Sequence, residues 1–262
     1  MNDRMMLCAS AFVAVGFLTG GVIASPAMDP ATAAVALPVA QQNDLVRRYC
    51  TVCHTDASMN GGLSLEHFDA ARPDPGDAAM VVSKMKSNAF GAAGIPPPDK
   101  ATQEALIAAL SSAAAGANEW TVSRRENVGA KAPTLTVSVV QGVPSTANQG
   151  EPDLYRLTLT CRADAREGEM LLAWSPNVPQ DGRVVSAVAD GKTPMTYKVE
   201  GTEKMGNGTA GTSGPGSVIL RAMPLPSQTL TISNVLPDQR VVFPFSKLTS
   251  AARQALSTCF GS

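Results

Sequence analysis

Cys50, Thr51, Val52, Cys53 and His54 place two thiols three positions apart, with an imidazole directly after the second. On one helical turn, positions i and i+3 face the same side, so both sulfurs can reach one flat partner while the imidazole falls beneath it. Paired thiols at this spacing serve redox exchange, a structural zinc, a plain disulfide or covalent attachment of a c-type haem. Thioredoxin-type exchange needs a strand-helix-strand setting, which the flanking sequence lacks. A zinc needs a fourth ligand, for which His67 is the obvious neighbour, and a plain disulfide gives His54 nothing to do. C-x-x-C-H is the attachment sequence of a c-type haem, so the leading expectation is one covalent haem c. Cys50 and Cys53 would bind the porphyrin vinyl groups and His54 would be the proximal iron ligand.

These residues need elements to position them. Leu45, Val46, Tyr49 and Cys53 recur at helical spacing and predict a helix of about three turns ending near the second thiol. Asp77 is the expected cap of a second helix carrying Met80, Val81, Val82 and Met85, and Asp99 that of a third with Leu106, Ile107 and Leu110. The pattern then changes to period-two alternation, as in Leu154, Arg156, Thr158 and Thr160 against Tyr155, Leu157, Leu159 and Cys161. Strands are expected at 134–140, 153–161, 169–174, 183–188, 195–199, 217–221, 229–232 and 240–245, followed by a helix around Leu248, Ala252, Ala255 and Leu256. The expected architecture is multidomain: an all-α cytochrome c-like domain at 41–115, a linker at 116–133, and a mainly β, sandwich-like domain with a C-terminal helix at 134–262. The Gly-rich stretch 206–216 lacks the lysine of a phosphate loop and reads as a hairpin connection.

Composition narrows the function classes. The chain has 262 residues and a net charge of -1, with 44% hydrophobic and only 5% aromatic residues. Near-neutral charge without a basic run argues against nucleic acid as a partner. Residues 5–28 carry no formal charge and read as a secretory signal cut after Ala24, then a disordered spacer at 25–40. An uncleaved anchor, with membrane association, is the alternative. Export, periplasmic or otherwise, puts the remaining cysteines where disulfides form. Cys161 and Cys259 are the expected pair, tying the last helix to a strand. The shortage of aromatics fits a first domain whose core is completed by a large apolar cofactor.

The sequence also resembles the short bacterial cytochrome c domains. Beyond the haem motif, Gly61, Gly62, Leu63, Ser64 and Leu65 match a Gly-Gly-Leu-Ser-Leu segment, and Gly94, Ile95, Pro96, Pro97 and Pro98 match a later stretch in which a Met precedes the prolines. The resemblance covers roughly residues 42–115 and implies haem attachment with His54 as axial ligand. It also implies a Met as the sixth ligand, but Ile95 holds that position and has no donor atom. The iron is then five-coordinate beside Ile95 and Phe90, or another side chain moves in: Met85 foremost, Met80 or Met59, or His67. The ordinary role of Met85 is core packing, and that of His67 a surface imidazole.

Three functions follow as expectations. The first is an exported monohaem cytochrome that carries electrons to a redox partner protein in the cell envelope, its β-domain serving docking or assembly. Arg47 or Arg48 would pair with haem propionates. The second is a sensor or reductase that binds CO, NO or peroxide at an open distal site. The third is a β-domain binding or structural module with an auxiliary haem. The β-domain has no histidine, which excludes a Ser-His-Asp hydrolase there, and Asp153, Asp181 and Asp190 read as turn residues. Electron transfer is therefore preferred to stand-alone enzymatic activity.

Overall fold

The computed structural model describes residues 37–56, 63–87, 96–126, 131–145, 150–179, 183–199 and 213–260. Helix α1 (Val39–Val46) runs directly into a π-helical turn, Arg47–Thr51, that carries Cys50. Helix α2 (Pro75–Lys86) is capped by Asp74, whose carboxylate accepts from the Asp77 backbone N–H at 3.1 Å. Asp77, the expected cap, instead lies in the first turn, because Pro75 presets the backbone for the first helical position. Helix α3 (Lys100–Ala114) is capped by Asp99 as expected, with Thr102 N–H donating at 2.9 Å.

Strands β1 (Thr121–Arg125), β2 (Thr134–Val143), β3 (Asp153–Arg162), β4 (Glu167–Pro179) and β7 (Ser213–Ile219) form one sheet in the order β1-β2-β3-β4-β7. A second sheet has the order β6-β5-β8-β9, from β5 (Val184–Ala189), β6 (Met195–Lys198), β8 (Thr229–Ser233) and β9 (Arg240–Pro244). Every neighbouring pair is antiparallel. Alternation sends Val137, Leu157 and Leu172 of the first sheet into the same buried cluster as Ala187, Leu230 and Phe243 of the second. Shared burial from two sheets is the defining packing of a β-sandwich. Helix α4 (Ser250–Phe260) closes this core with Ala252 and Leu256, and Cys259 on it is joined to Cys161 on β3 with the Cα atoms 5.7 Å apart.

The other face of the first sheet receives the N-terminal helices. Gly76 in α2 comes so close that a β-carbon there would lie 3.0 Å from Asp74 Oδ1 and 3.2 Å from the Val140 side chain. Beside it, Arg156 reaches out from β3 with a side chain only 10% exposed. Its Nη1 donates to Asp77 Oδ1, and its Nη2 lies 3.7 Å from Asp74 Oδ1. Burial works against the Arg156 charge, but the two carboxylates outweigh it and keep the guanidinium protonated. For Asp77 burial prevails over the pull of Arg156 and pushes its carboxyl upward. Such a pair fixes geometry more than it adds stability, since desolvation consumes most of the Coulombic gain. Small residues complete the contact: Ala79 and Ala117 bury against Val140, with Leu154 and Ala114 at the margin.

This arrangement corrects the expected fold class. The chain is mostly β-sheet, in two antiparallel sheets with short helices laid against them, and its N-terminal part is not an all-α cytochrome c-like domain. The physical reason lies in what covers the helices. The periodicity of α2 and α3 announces apolar faces, but Ala79, Ala114 and Arg156 show that the first sheet supplies part of the opposing surface. Strand β1 is a further difference, because it forms within the stretch expected as linker and pairs Thr121–Arg125 with β2. Trp120 just before it donates from Nε1 to the Pro244 carbonyl at 2.9 Å and packs edge-on against Phe245. All the expected strands form, with ends shifted by a few residues. Asp153 departs from its turn reading: it is buried at the start of β3 and accepts from Gln239 Nε2 at 2.7 Å. Asp190 is a turn residue, and Asp181 lies outside the described residues.

Two stability measurements check these supports. Arg156→Ala leaves two carboxylates without their counter-charge and lowers stability to urea by about 3 to 5 kcal/mol; a loss below about 1 kcal/mol would contradict its role. Replacing Cys161 and Cys259 together by Ser opens a crosslink spanning 98 residues. The expected cost is about 4 to 5 kcal/mol on the chain-entropy argument, read from the same denaturation curves.

Candidate functional site

The thiol motif sits where the π-helical turn gives way to a loop. Cys53 N–H donates to the Cys50 carbonyl at 3.1 Å and His54 N–H to the same oxygen at 3.0 Å, so one tight turn carries all three residues. π-helical turns recur at functional sites because the extra residue re-aims side chains. Neither Cys50 nor Cys53 is in a disulfide. Cys50 packs at the edge of an aliphatic cluster that includes Val46, Leu63, Leu65, Met80 and Met85. Burial, reinforced by the neighbouring Cys53, pushes the Cys50 thiol up to about 11.

The chain then returns past the motif. Leu65 N–H donates to the His54 carbonyl at 2.7 Å, and His54 Nδ1 lies 3.3 Å from the Leu63 carbonyl oxygen. A carbonyl only accepts, so this contact selects the tautomer with hydrogen on Nδ1 and the lone pair on Nε2. Metal-binding imidazoles are commonly oriented by such a second contact. Asp56 fastens the two segments together. Its Oδ1 accepts from Ser64 Oγ at 2.5 Å, its Oδ2 meets His67 Nε2 at 3.1 Å and Arg125 Nη1 at 2.6 Å, and its own N–H donates to Glu66 Oε2 at 3.0 Å. Desolvation would raise the Asp56 carboxyl, but the Ser64 hydrogen bond and the Arg125 and His67 contacts outweigh it and hold the group below its usual range.

The structure places Cys50, Cys53 and His54 on one turn and gives His67 a surface partner in Asp56. Met85 is buried in the cluster that Cys50 borders. Ile95, Phe90, Met59, Gly61 and Gly62 lie outside the described residues, as do the expected signal, most of the spacer and most of the Gly-rich connection. Arg47 pairs with Asp44 at 2.8 Å, and Arg48 lies over the Tyr49 ring at 5.4 Å. Among the described residues, no group of three or more His, Cys, Asp and Glu side chains is gathered to hold a metal ion by itself. Also among these residues, no helix is long and apolar enough to cross a membrane.

The residues fit a covalently held haem on the chemistry of the donor set. Two thiols share one turn, an apolar cluster lies beside them, and the adjacent imidazole has its Nδ1 against a carbonyl. Sequence reasoning missed Asp56 and Arg125, neither of which belongs to a recognisable spacing, and reached Ser64 only as part of the Gly-Gly-Leu-Ser-Leu match. No protein-family model, no curated protein and no solved structure matches the chain.

The raised Cys50 thiol is directly measurable. In the chain without any bound cofactor at pH 8, Cys50 is alkylated by iodoacetamide about 100-fold more slowly than an ordinary cysteine, because only the thiolate reacts. The rate climbs with pH until about 11. Peptide mass spectrometry separates Cys50 from Cys53, and alkylation of Cys50 at the ordinary rate would refute its burial.

Proposed function

We propose that this protein holds one haem c and carries electrons in an oxidising, exported compartment such as the periplasm. The observation that carries the reading is the C-x-x-C-H turn with His54 Nδ1 held at the Leu63 carbonyl. Haem supplies an iron that takes up and gives back one electron, with its potential tuned by axial ligand, hydrogen bonding and burial. Cys50 and Cys53 anchor the porphyrin, and His54 offers Nε2 to the iron. The aliphatic cluster with Val46, Leu63, Leu65 and Met85 excludes water from one side of the motif. The Cys161–Cys259 crosslink supports an oxidising location, since such bonds persist mainly outside the reducing cytosol. The partner is a redox protein of the cell envelope, and the sandwich serves for docking or assembly.

A second reading is favoured by Ile95, which stands where the resembled domains have a ligating Met. An open sixth position would bind CO, NO or peroxide.

Production of the full chain in a host that matures c-type cytochromes tests both. Haem is expected to stay with the polypeptide through denaturation, and the Cys50→Ala, Cys53→Ala double variant is expected to lose it entirely. Covalent haem retained in that variant, or never acquired by the native chain, sinks the proposal. A ferrous spectrum unchanged by CO supports electron transfer, whereas a high-spin spectrum that shifts with CO supports the small-ligand reading.

A further inference from the structure

We propose that Asp56 is a positioning residue for His54, acting through the returning segment 63–67 and steadied by Arg125 from the first sheet. The inference rests on the reading of His54 as an axial ligand. Asp56 works on the backbone that faces His54, through Ser64, Glu66 and His67. Ser64 and His67 both bind its carboxylate, and Glu66 accepts from its N–H, so the segment immediately after Leu63 is held by several bonds to one residue. That segment presents the Leu63 carbonyl to His54 Nδ1 and the Leu65 N–H to the His54 carbonyl. Fixing one side of the loop thereby fixes the proton on the imidazole and the lone pair at Nε2.

Magnitudes separate positioning from stability. Asp56 and Arg125 have side chains 40% and 52% exposed, and ion pairs at such exposure add little to stability. The fold does not depend on them. Their value lies in convergence: Arg125 belongs to β1, which is hydrogen-bonded to β2 along Thr121–Arg125, so the clamp is referred to the sheet and not to the loop alone. Arg125 and Asp56 are 69 positions apart in sequence, and this pairing gives the β-sheet a specific task at the haem motif.

The test is the tautomer of His54. The chain contains only two histidines, so ring-nitrogen NMR resolves each after assignment through the backbone. At pH 8 an ordinary imidazole is neutral and its two nitrogens report where the proton sits. The full chain without haem is expected to show His54 with hydrogen on Nδ1. Asp56→Ala is expected to lose that single-tautomer signature while keeping a dispersed backbone spectrum, and Asp56→Asn, which keeps an oxygen for Ser64, to fall between. Lys100→Ala, which removes a surface ion pair on α3, leaves it unchanged. If Asp56→Ala unfolds, Ser64→Ala carries the same expectation with less disturbance. Native ring-nitrogen shifts in a folded Asp56→Ala or Ser64→Ala chain would overturn the proposal. In the haem-loaded chain the same clamp is read as slow exchange of the His54 Nδ1 proton, accelerated by Asp56→Ala. Failure to acquire haem would defeat the functional reading while the haem-free measurement still decides the clamp.

Discussion

A single guanidinium, buried between a sheet and a helix, sets where the N-terminal helices lie. Arg156 projects from β3 on the face opposite the sandwich core, and the carboxylates of Asp74 and Asp77 meet it at the start of α2. A helix N-terminus favours negative charge, which suits both aspartates, and an uncompensated cation there would be repelled. Two carboxylates against one guanidinium suit the dipole and balance the arginine's charge together. With that end fixed, Gly76 brings α2 against Val140, and the helix delivers Met80, Val81 and Met85 to the cluster that Cys50 borders. The path from a sheet residue to the thiol motif is therefore short and continuous.

The two sites where sheet and motif are tied differ in strength. The Arg156 pair is buried, so removing either partner strands charge in a poor solvent. The Arg125–Asp56 pair is largely exposed and screened by water. The first determines whether α2 lies on the sheet at all. The second trims a loop whose backbone hydrogen bonds already exist. Buried charge thus holds α2 to the sheet, and an exposed ion pair holds the loop beside the imidazole.

Period-two alternation made the sandwich legible in the sequence, because each strand buries one face: Leu157 and Leu159 point inward, while Thr158 and Thr160 do not join the core. Strand β1 was not legible, since four of its five residues are exposed and an edge strand has no buried face to advertise. Amphipathic spacing revealed the helices α2 and α3 but not their cover, and an alanine facing Val140 across a sheet looks the same in sequence as one facing another helix. The all-α expectation failed there. At the candidate site, the spacing of Cys50, Cys53 and His54 foretold that they share one turn, as they do. The Leu63 carbonyl was not, because every residue has one and only the return of the chain selects it. Asp56 and Arg125 were hidden for the same reason, and Ser64 stood out only as part of a motif match: their roles arise from contacts that the fold makes.

The distribution of aromatic residues follows from this division. Trp174, Tyr155, Phe243 and Phe245 are fully buried in the sandwich core, where two sheets about 10 Å apart leave room for large side chains. The cluster beside Cys50 is built from Val, Leu, Ala and Met, with Phe68 only at its margin. Aliphatic side chains and Met adapt to a neighbouring surface more readily than rings do, since they have several low-energy rotamers and no fixed plane. A wall of that kind would suit the flat cofactor proposed above, because it can close around an edge without demanding one orientation. The orientation would then be left to what can impose it: two thiols on one turn and one imidazole with Nδ1 against a carbonyl. The fully buried aromatic side chains thus lie in the sandwich, while the cluster beside Cys50 is built from side chains that adapt to their neighbours.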